Sequence, residues 1–120
     1  MRRARATNPE LLRCIRALRK RGRSEGAPIW MALAEHLSKP KHRRAAVNVG
    51  RIDRHTREGD TVVVPGKVLG AGLLGHAVNV AAFAFSESAR LKIEKAGGRC
   101  LTIEELMELA PRGTNVRVMR

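Results

Sequence analysis

Two short patterns within residues 62–80 contain residue types that bind nucleotide phosphates. Residues 70–75 read GAGLLG and match the G-x-G-x-x-G fingerprint, in which glycines let the backbone approach a pyrophosphate. Pro65, Gly66 and Lys67 resemble the end of a phosphate-binding loop, in which a lysine reaches the phosphates. Both patterns raise the hypothesis of a small enzyme that binds a nucleotide.

The sequence around these glycines does not supply the elements that either phosphate site requires. A dinucleotide fingerprint opens a helix, whereas the residues after Gly75 alternate and predict a strand. The acid about twenty residues on should end a strand, but Glu94 falls within a predicted helix. Val68 replaces the Ser or Thr that would hold magnesium. We interpret the glycines as turns between short strands, while the backbone at 66–67 or 70–75 could still contact a phosphate.

The other polar residues form no recognisable catalytic or metal-binding pattern. The sequence lacks a clustered carboxylate pair, a Gly-x-Ser-x-Gly motif and a Cys/His pair in a known context. Cys14 and Cys100 are expected to be buried or half-buried free thiols, because they lack ligand spacing. The histidines lack it too: His36, His42, His55 and His76. We therefore predict no enzyme activity, no cofactor, no metal site and no small-molecule substrate.

Length and hydropathy indicate one domain without a membrane partner. The 120 residues leave room for a single core. We expect residues 1–57 to form basic helices and a loop, and residues 58–120 to form a compact α/β part of the same domain. No apolar run reaches the roughly 18 residues of a membrane span, and no signal-peptide pattern is found. The expected location is the cytoplasm.

The uneven charge is the strongest indication of a partner. The chain has 24 Lys and Arg against 11 Asp and Glu, a formal net charge of +13. Residues 1–57 hold 16 basic and 4 acidic side chains (net +12), and residues 58–120 hold 8 and 7 (net +1). Charges this concentrated repel one another unless phosphates neutralise them, so we predict binding to nucleic acid. Scarce aromatic residues argue against stacking of single-stranded bases.

Residues 8–40 are predicted to form two helices. Asn8 and Pro9 are typical of a helix start, and an apolar stripe that includes Leu11 and Leu12 predicts a helix to about residue 22. Pro28 begins the second helix, Lys39-Pro40 ends it, and Trp30 is interpreted as a core residue. Residues 39–58 are predicted to form a basic loop. The predicted RNA-binding residues are Arg2, Arg3, Arg5, Arg13, Arg16, Lys20, Arg23, Lys39, Lys41, His42, Arg43, Arg44, Asn48, Arg51, Arg54, His55 and Lys67.

Residues 59–120 alternate between predicted strands and helices. Two separate strands are predicted at 61–65 and 67–69, and a third at 76–85. Ser86 should cap a helix that ends at Gly97-Gly98, followed by a strand at 99–101. Thr102 and Glu105 form the pattern of a capping box, and the predicted helix that follows stops at Pro111. Residues 115–119 are predicted to form the last strand.

Four segments resemble a known family: NVGRIDRHT (48–56), VVVPGKVLGAG (62–72), AFAFSESARLKIEKAGG (82–98) and GTNVRVMR (113–120). They resemble the archaeal and eukaryotic large-subunit ribosomal protein L-eighteen-e, related to bacterial ribosomal protein L-fifteen. The resemblance covers essentially the whole chain, and residues 86–98 are its most specific part. It implies an irregular superhelix of β-β-α turns, and a structural, non-enzymatic role in the large subunit in contact with its RNA and neighbouring proteins. The basic tail of eukaryotic members and the glycine-rich extension of the bacterial relative are missing, as in the short archaeal form.

An alternative function is a DNA-binding helix-turn-helix or a nucleoid-type protein. Gly26 and Pro28 permit a turn between the first two helices. The basic residues, however, lie on the first helix, whereas the second helix of such a motif enters the groove.

A-form RNA hides its base edges in a deep groove, so we expect recognition of RNA shape and backbone.

Overall fold

A computed structural model describes residues 8–40 and 43–120 of the chain. The predicted sites Arg2, Arg3, Arg5, Lys41 and His42 lie outside the described residues. The elements, in chain order, are α1 (Pro9–Glu25), α2 (Pro28–Leu37), β1 (Ala45–Asn48), α3 (Val49–His55), β2 (Thr61–Leu69), β3 (Asn79–Phe85), α4 (Glu87–Lys95), β4 (Arg99–Leu101), α5 (Ile103–Leu109) and β5 (Val116–Val118). The predicted α/β class, with two N-terminal helices and a later alternation of strands and helices, is confirmed.

The strands form one parallel sheet built around β2. Its order is β1–β2–β3–β4, and β5 also pairs with β2. β5 pairs with residues 61–63 of β2 and β1 with residues 66–69, so the two short strands lie end to end along the edge opposite β3. We call the junction between the end of β5 and the start of β1 the seam. Pro65 of β2 lies there, where its missing N–H leaves no ladder donor unpaired.

The prediction of two strands at 61–65 and 67–69 is wrong, because β2 runs without interruption from Thr61 to Leu69. The prediction rests on the rule that a proline ends a strand, applied to Pro65. In the structure, the register with β3 shifts between Val64 and Lys67, so the proline falls within an irregularity of the ladder.

The sheet is covered by helices on both faces. On one face, Val63 packs in a buried cluster with Trp30 and with residues of α1, α2 and α5. On the other face, Val64 packs with Ile52 of α3 and Ile93 of α4. Alternation along β2 produces this division, because successive side chains of a strand point to opposite faces. As a consequence, α1 and α3 lie on opposite sides of the sheet.

The two N-terminal helices have the predicted positions, with small differences. The Asn8 side chain accepts hydrogen bonds from the backbone N–H groups of Glu10 and Leu11. α1 continues to Glu25, beyond the expected end near residue 22, and stops at Gly26, whose φ is +62°. Leu12 is 43% exposed and does not join the apolar stripe in the core.

Residues 39–58 do not form a continuous loop, so that prediction is wrong. β1 and α3 lie within them, and Val47, Val49 and Ile52 of this segment are buried. Because basic residues stand between these apolar positions, the sequence does not show a clear apolar pattern for β1 and α3. β1 is a short edge strand, which the sequence signals only weakly.

In the C-terminal part, the local signals of helix boundaries are confirmed. The Ser86 hydroxyl accepts a hydrogen bond from the N–H of Ala89, and Gly97 has a φ of +90° after α4. Thr102 and Glu105 form a reciprocal capping box at the start of α5. The strand predicted from residue 76 begins only at Asn79, because residues 70–78 form the loop between β2 and β3.

Gly66 lies inside β2 and not in a turn, which corrects the interpretation of that glycine. A Cβ at this position would collide with the carbonyl oxygen of Ala45 in β1.

Gly66→Ala is therefore expected to lower the free energy of unfolding by about 3 kcal/mol, because a backbone contact cannot relax as a side chain can. Gly59→Ala, at a φ of +88° with no atom near the new Cβ, should cost only about 1 kcal/mol. Urea unfolding followed by circular dichroism measures both; equal losses would contradict the close approach of β1.

Candidate nucleic-acid interface

The first basic surface is a stripe along α1. Its four residues are spaced by three, four and three positions, so they lie on one side of the helix. All four are exposed, and they face away from the buried line of Leu11, Ile15 and Leu18. The α1 stripe consists of Arg13, Arg16, Lys20 and Arg23.

The charges of the α1 stripe are not neutralised by ion pairs in the described part of the chain. The ion pairs there join Arg21 to Glu108 (2.8 Å), His76 to Asp53 (3.3 Å) and Arg112 to Glu25 (3.9 Å). Arg21 belongs to α1 but lies on its flank, where it reaches α5. The stripe therefore presents four cations to solvent.

The second basic surface surrounds the seam and combines residues from distant parts of the sequence. The Nε of Arg44 donates a hydrogen bond to the carbonyl of Lys39 (3.1 Å), which joins the start of β1 to the end of α2. A guanidinium N–H of Arg117 in β5 donates to the carbonyl oxygen of His55, the last residue of α3. The seam cluster consists of His36, Lys39, Arg44, Arg51, His55, Arg117 and Arg120.

Part of the seam cluster forms a concave surface. A hollow of about 390 Å³ is lined by Arg51, His55, Arg117, Val118, Met119 and Arg120. Four of these six residues are basic and none is acidic. Such a concave surface favours an anion, because several donors can reach one ligand.

The pKa of His36 depends on burial and on the positive charges near the seam. Burial lowers the pKa of His36 below its usual value of 6.5, and the nearby charges of Lys39 and Arg120 lower it further. Glu35 acts in the opposite direction and is the weakest of these causes. Because the folded-state pKa is below the unfolded one, the neutral ring favours folding, and this contribution is lost as the pH falls below 6.5.

Binding of RNA at the seam is expected to raise the pKa of His36. Phosphates would neutralise Lys39 and Arg120 and so remove part of the cause of the lowered value. Titration of the imidazole C–H resonances by NMR, with and without bound RNA, measures the change, and a His36→Gln variant assigns the resonance. An unchanged or lower pKa in the complex would contradict an RNA contact near Lys39 and Arg120.

The glycine-rich loop of residues 70–78 is fixed to α3 and α4 by side chains. The Lys92 ammonium donates hydrogen bonds to the carbonyl oxygens of Gly70 (2.6 Å) and Gly72 (2.7 Å). An Asp53 oxygen accepts from the N–H of Gly75 (2.9 Å). Parallel strands are usually joined by a crossover helix, and here these contacts hold an irregular loop in its place. No helix begins at Gly75, as a dinucleotide site would require.

Glycines in this loop allow close packing, so not all of them serve as simple turns. Gly72 has a φ of +92°, and a Cβ there would lie 2.6 Å from the Cα of Gly50 in α3. A Cβ at Gly70 would collide with the Ser88 hydroxyl of α4. The side chain of Asn48, a predicted RNA-binding residue, is half-buried and accepts a hydrogen bond from the N–H of Ala71 (3.1 Å).

The structure divides the other predicted site residues between these surfaces. Lys39, Arg44, Arg51 and His55 lie in the seam cluster, and Arg54 is exposed on α3. Arg43 is exposed just before β1. Lys67 is exposed in β2, opposite Ala46 of β1 and Ala84 of β3.

Sequence reasoning missed three residues of the seam cluster. Arg117 and Arg120 approach the basic segment only after folding, since β5 pairs beside β1 on β2. His36 precedes that segment by three residues, within the predicted second helix. The sequence does indicate the orientation of Arg117. Its neighbours Val116 and Val118 pack against the core, so the Arg117 side chain points to the other face of the sheet.

The second helix lacks the features of a DNA-recognition helix. The exposed residues of α2 are Pro28, Met31, Ala32 and Glu35. A recognition helix places donors such as Arg or Lys against bases and phosphates, and this exposed side offers only an acid and apolar groups. The structure therefore does not favour the helix-turn-helix alternative.

The cysteines are free thiols, as expected. Cys14 is buried and Cys100 is half-buried. Burial, aided by the charge of Glu104, raises the pKa of the Cys14 thiol to about 12, so it stays protonated and unreactive near pH 7. Burial likewise raises the pKa of Cys100.

Residues 8–40 and 43–120 contain neither a cluster of metal-binding side chains nor a membrane-spanning helix. They contain no group of three or more His, Cys, Asp or Glu side chains that could hold a metal ion. Within the same ranges, no helix has the length and hydrophobicity needed to cross a membrane.

The chain combines an α/β fold with two basic surfaces, a combination that is typical of small proteins that bind polyanions. Residues 2–120 match the model of the family described as ribosomal protein 60S L18 and 50S L18e. The chain belongs to this family.

Several archaeal relatives are similar to the chain over nearly their whole length. A protein of Methanothermobacter thermautotrophicus is 50% identical over 113 residues, covering 94% of this chain and 93% of the relative. A Methanopyrus kandleri protein is 49% identical with the same coverage. A Methanococcus maripaludis protein is 46% identical and covers 99% of both chains. All three are named large ribosomal subunit protein eL18.

Proposed function

We propose that this chain is a structural constituent of the large ribosomal subunit and binds ribosomal RNA through the phosphate backbone and the shape of RNA helices. Family membership supports the ribosomal assignment. The observation that carries the mode of binding is the α1 stripe, whose four cations face solvent without an ion pair among the described residues.

The two basic surfaces suit a protein that lies between RNA segments. The α1 stripe belongs to the helical layer on one face of the sheet, and α3, which supplies part of the seam cluster, covers the other face. Neutralisation of phosphates on both sides lets two RNA segments approach each other with less repulsion. The folded core fixes the distance between them.

Neighbouring ribosomal proteins are the second proposed class of partner. Leu73 is 81% exposed in the loop that Lys92 and Asp53 hold in place. An apolar side chain on a fixed backbone offers a contact that loses little conformational entropy when a neighbour covers it. We propose no enzymatic step in this role, since positioning of RNA needs no reacting group.

Binding to RNA and to DNA distinguishes the proposal from its alternative. The purified protein should bind fragments of large-subunit RNA more tightly than duplex DNA of equal length. If about 6–10 phosphates are contacted, affinity for RNA should fall roughly 10³–10⁵-fold between 50 and 200 mM salt. Equal or tighter binding to duplex DNA would favour the DNA-binding alternative.

A further inference from the structure

The hollow at the seam differs from the rest of the basic surface because several donors converge there before any ligand is present. The side chains of Arg51 and His55 project from one side of α3, one helical turn apart. Arg117 points from β5 to the same face of the sheet as the buried Met119, the face that α3 covers. Arg120 follows the end of β5. None of the described residues that line the hollow is acidic.

Two of the four basic side chains, those of Arg117 and His55, are held by hydrogen bonds to backbone carbonyl groups. A guanidinium N–H of Arg117 donates to the carbonyl oxygen of His55, which would otherwise be unpaired at the end of α3. The His55 ring places Nδ1 3.0 Å from the carbonyl oxygen of Arg51, so Nδ1 carries the proton and donates. The Arg117 and His55 side chains are therefore preorganised, which reduces the entropy lost on binding.

The mutual repulsion of these basic side chains is not neutralised by ion pairs within the described chain. Its ion pairs involve none of the residues that line the hollow. At the end of α2, burial lowers the pKa of His36, and the charges of Lys39 and Arg120 lower it further. An anion in the hollow would relieve this repulsion. Phosphate fits best, because guanidinium groups bind it through two parallel hydrogen bonds.

We propose that the hollow lined by Arg51, His55, Arg117 and Arg120 is a specific site for the phosphate groups of one RNA strand. The choice of RNA as the source of the phosphate rests on the proposed function. Arg51 and Arg120 contact phosphate oxygens. Arg117 contacts the strand and also positions the end of α3.

The test removes two charges without disturbing the internal hydrogen bonds. The side chains of Arg51 and Arg120 donate no described hydrogen bond, so the Arg51→Gln plus Arg120→Gln variant should fold normally. Lys95→Gln plus Arg99→Gln is the charge-matched control, since both residues are exposed and lie outside the two basic surfaces. Circular dichroism and urea unfolding should give wild-type values for both variants.

Salt dependence of binding to a large-subunit RNA fragment is the first readout. The hollow variant should bind on the order of 10–10²-fold more weakly near 0.1 M salt, with a slope of log affinity against log salt shallower by about 2. The control should keep the wild-type slope. Wild-type affinity and slope in the hollow variant, with RNA binding by the wild type intact, would overturn the site while leaving the proposed function in place.

Inorganic phosphate gives a readout that does not depend on RNA. In ¹H–¹⁵N spectra of the wild type, phosphate should shift the amide signals at residues 51, 55, 117 and 120 before those of the α1 stripe, and the hollow variant should lose this preference. Uniform shifts over all basic residues would overturn the site. A specific phosphate response in a protein that fails to bind large-subunit RNA would support the hollow and contradict the proposed function instead.

Arg117→Lys separates positioning from charge. Lysine retains the charge but loses the planar fork that reaches both His55 and a phosphate. We expect weaker RNA binding with an unchanged salt slope. A wild-type affinity in this variant would show that the guanidinium does not position the site.

Discussion

Replacement of all four residues of the α1 stripe by glutamine is expected to weaken binding to large-subunit RNA by on the order of 10³-fold near 0.1 M salt. The slope of log affinity against log salt should become shallower by roughly 3–4, because each phosphate contact contributes about 0.9. Folding should be unaffected or slightly favoured, since the four side chains face solvent and repel one another.

Filter binding over a range of salt concentrations measures this effect. The control variant replaces four exposed basic residues outside both surfaces by glutamine and so carries the same net charge. These residues are Arg90, Lys95, Arg99 and Arg112. If both variants lose the same affinity, overall charge and not the position of the stripe governs binding, and the proposed interface on α1 is wrong.

Trp30→Ala is expected to lower the free energy of unfolding by about 3–5 kcal/mol. The side chain is completely buried, and its Nε1–H donates to the carbonyl oxygen of Pro111 (2.6 Å). The substitution leaves a cavity between α2 and the sheet and removes the donor of that carbonyl. It also breaks a direct contact between the N-terminal helices and the segment that leads to β5.

Urea unfolding followed by far-ultraviolet circular dichroism tests this prediction, since the variant lacks the only tryptophan of the chain. Trp30→Phe keeps most of the apolar volume and should lose less. We propose that residues 1–57 and 58–120 unfold together, so each variant should show one transition. A loss below about 1 kcal/mol, or a separate early transition of the N-terminal helices, would contradict the role of Trp30 as the anchor between the two parts.

The parts of the fold that could be predicted from sequence depend on local chemistry. Asn8, Ser86 and Thr102 mark helix starts because their side chains bond the first free N–H groups, a relation that spans three residues. The continuity of β2 could not be predicted in the same way. Pro65 normally ends a strand, and its tolerance here depends on the pairing of β5 and β1 on either side of it.

The two binding surfaces also differ in whether local sequence or tertiary pairing brings their residues together. The α1 stripe was predictable because helical periodicity brings residues of one segment together. The seam cluster was not, because it joins the end of α2, α3 and the end of β5 through tertiary pairing. Its members 36–39 and 117–120 are far apart in the sequence. Only its members within residues 39–58 were predicted, on the basis of the charge of that segment: Lys39, Arg44, Arg51 and His55.

Sedimentation of a gentle native lysate on a sucrose gradient tests the central claim most directly. The chain is detected by blotting at high and at low magnesium, and the fractions that contain it are washed with increasing salt. We predict that it sediments with the large subunit at both magnesium concentrations and is released only by concentrated salt. If it stays at the top of the gradient, or follows DNA and is freed by DNase, the assignment to the large subunit is contradicted.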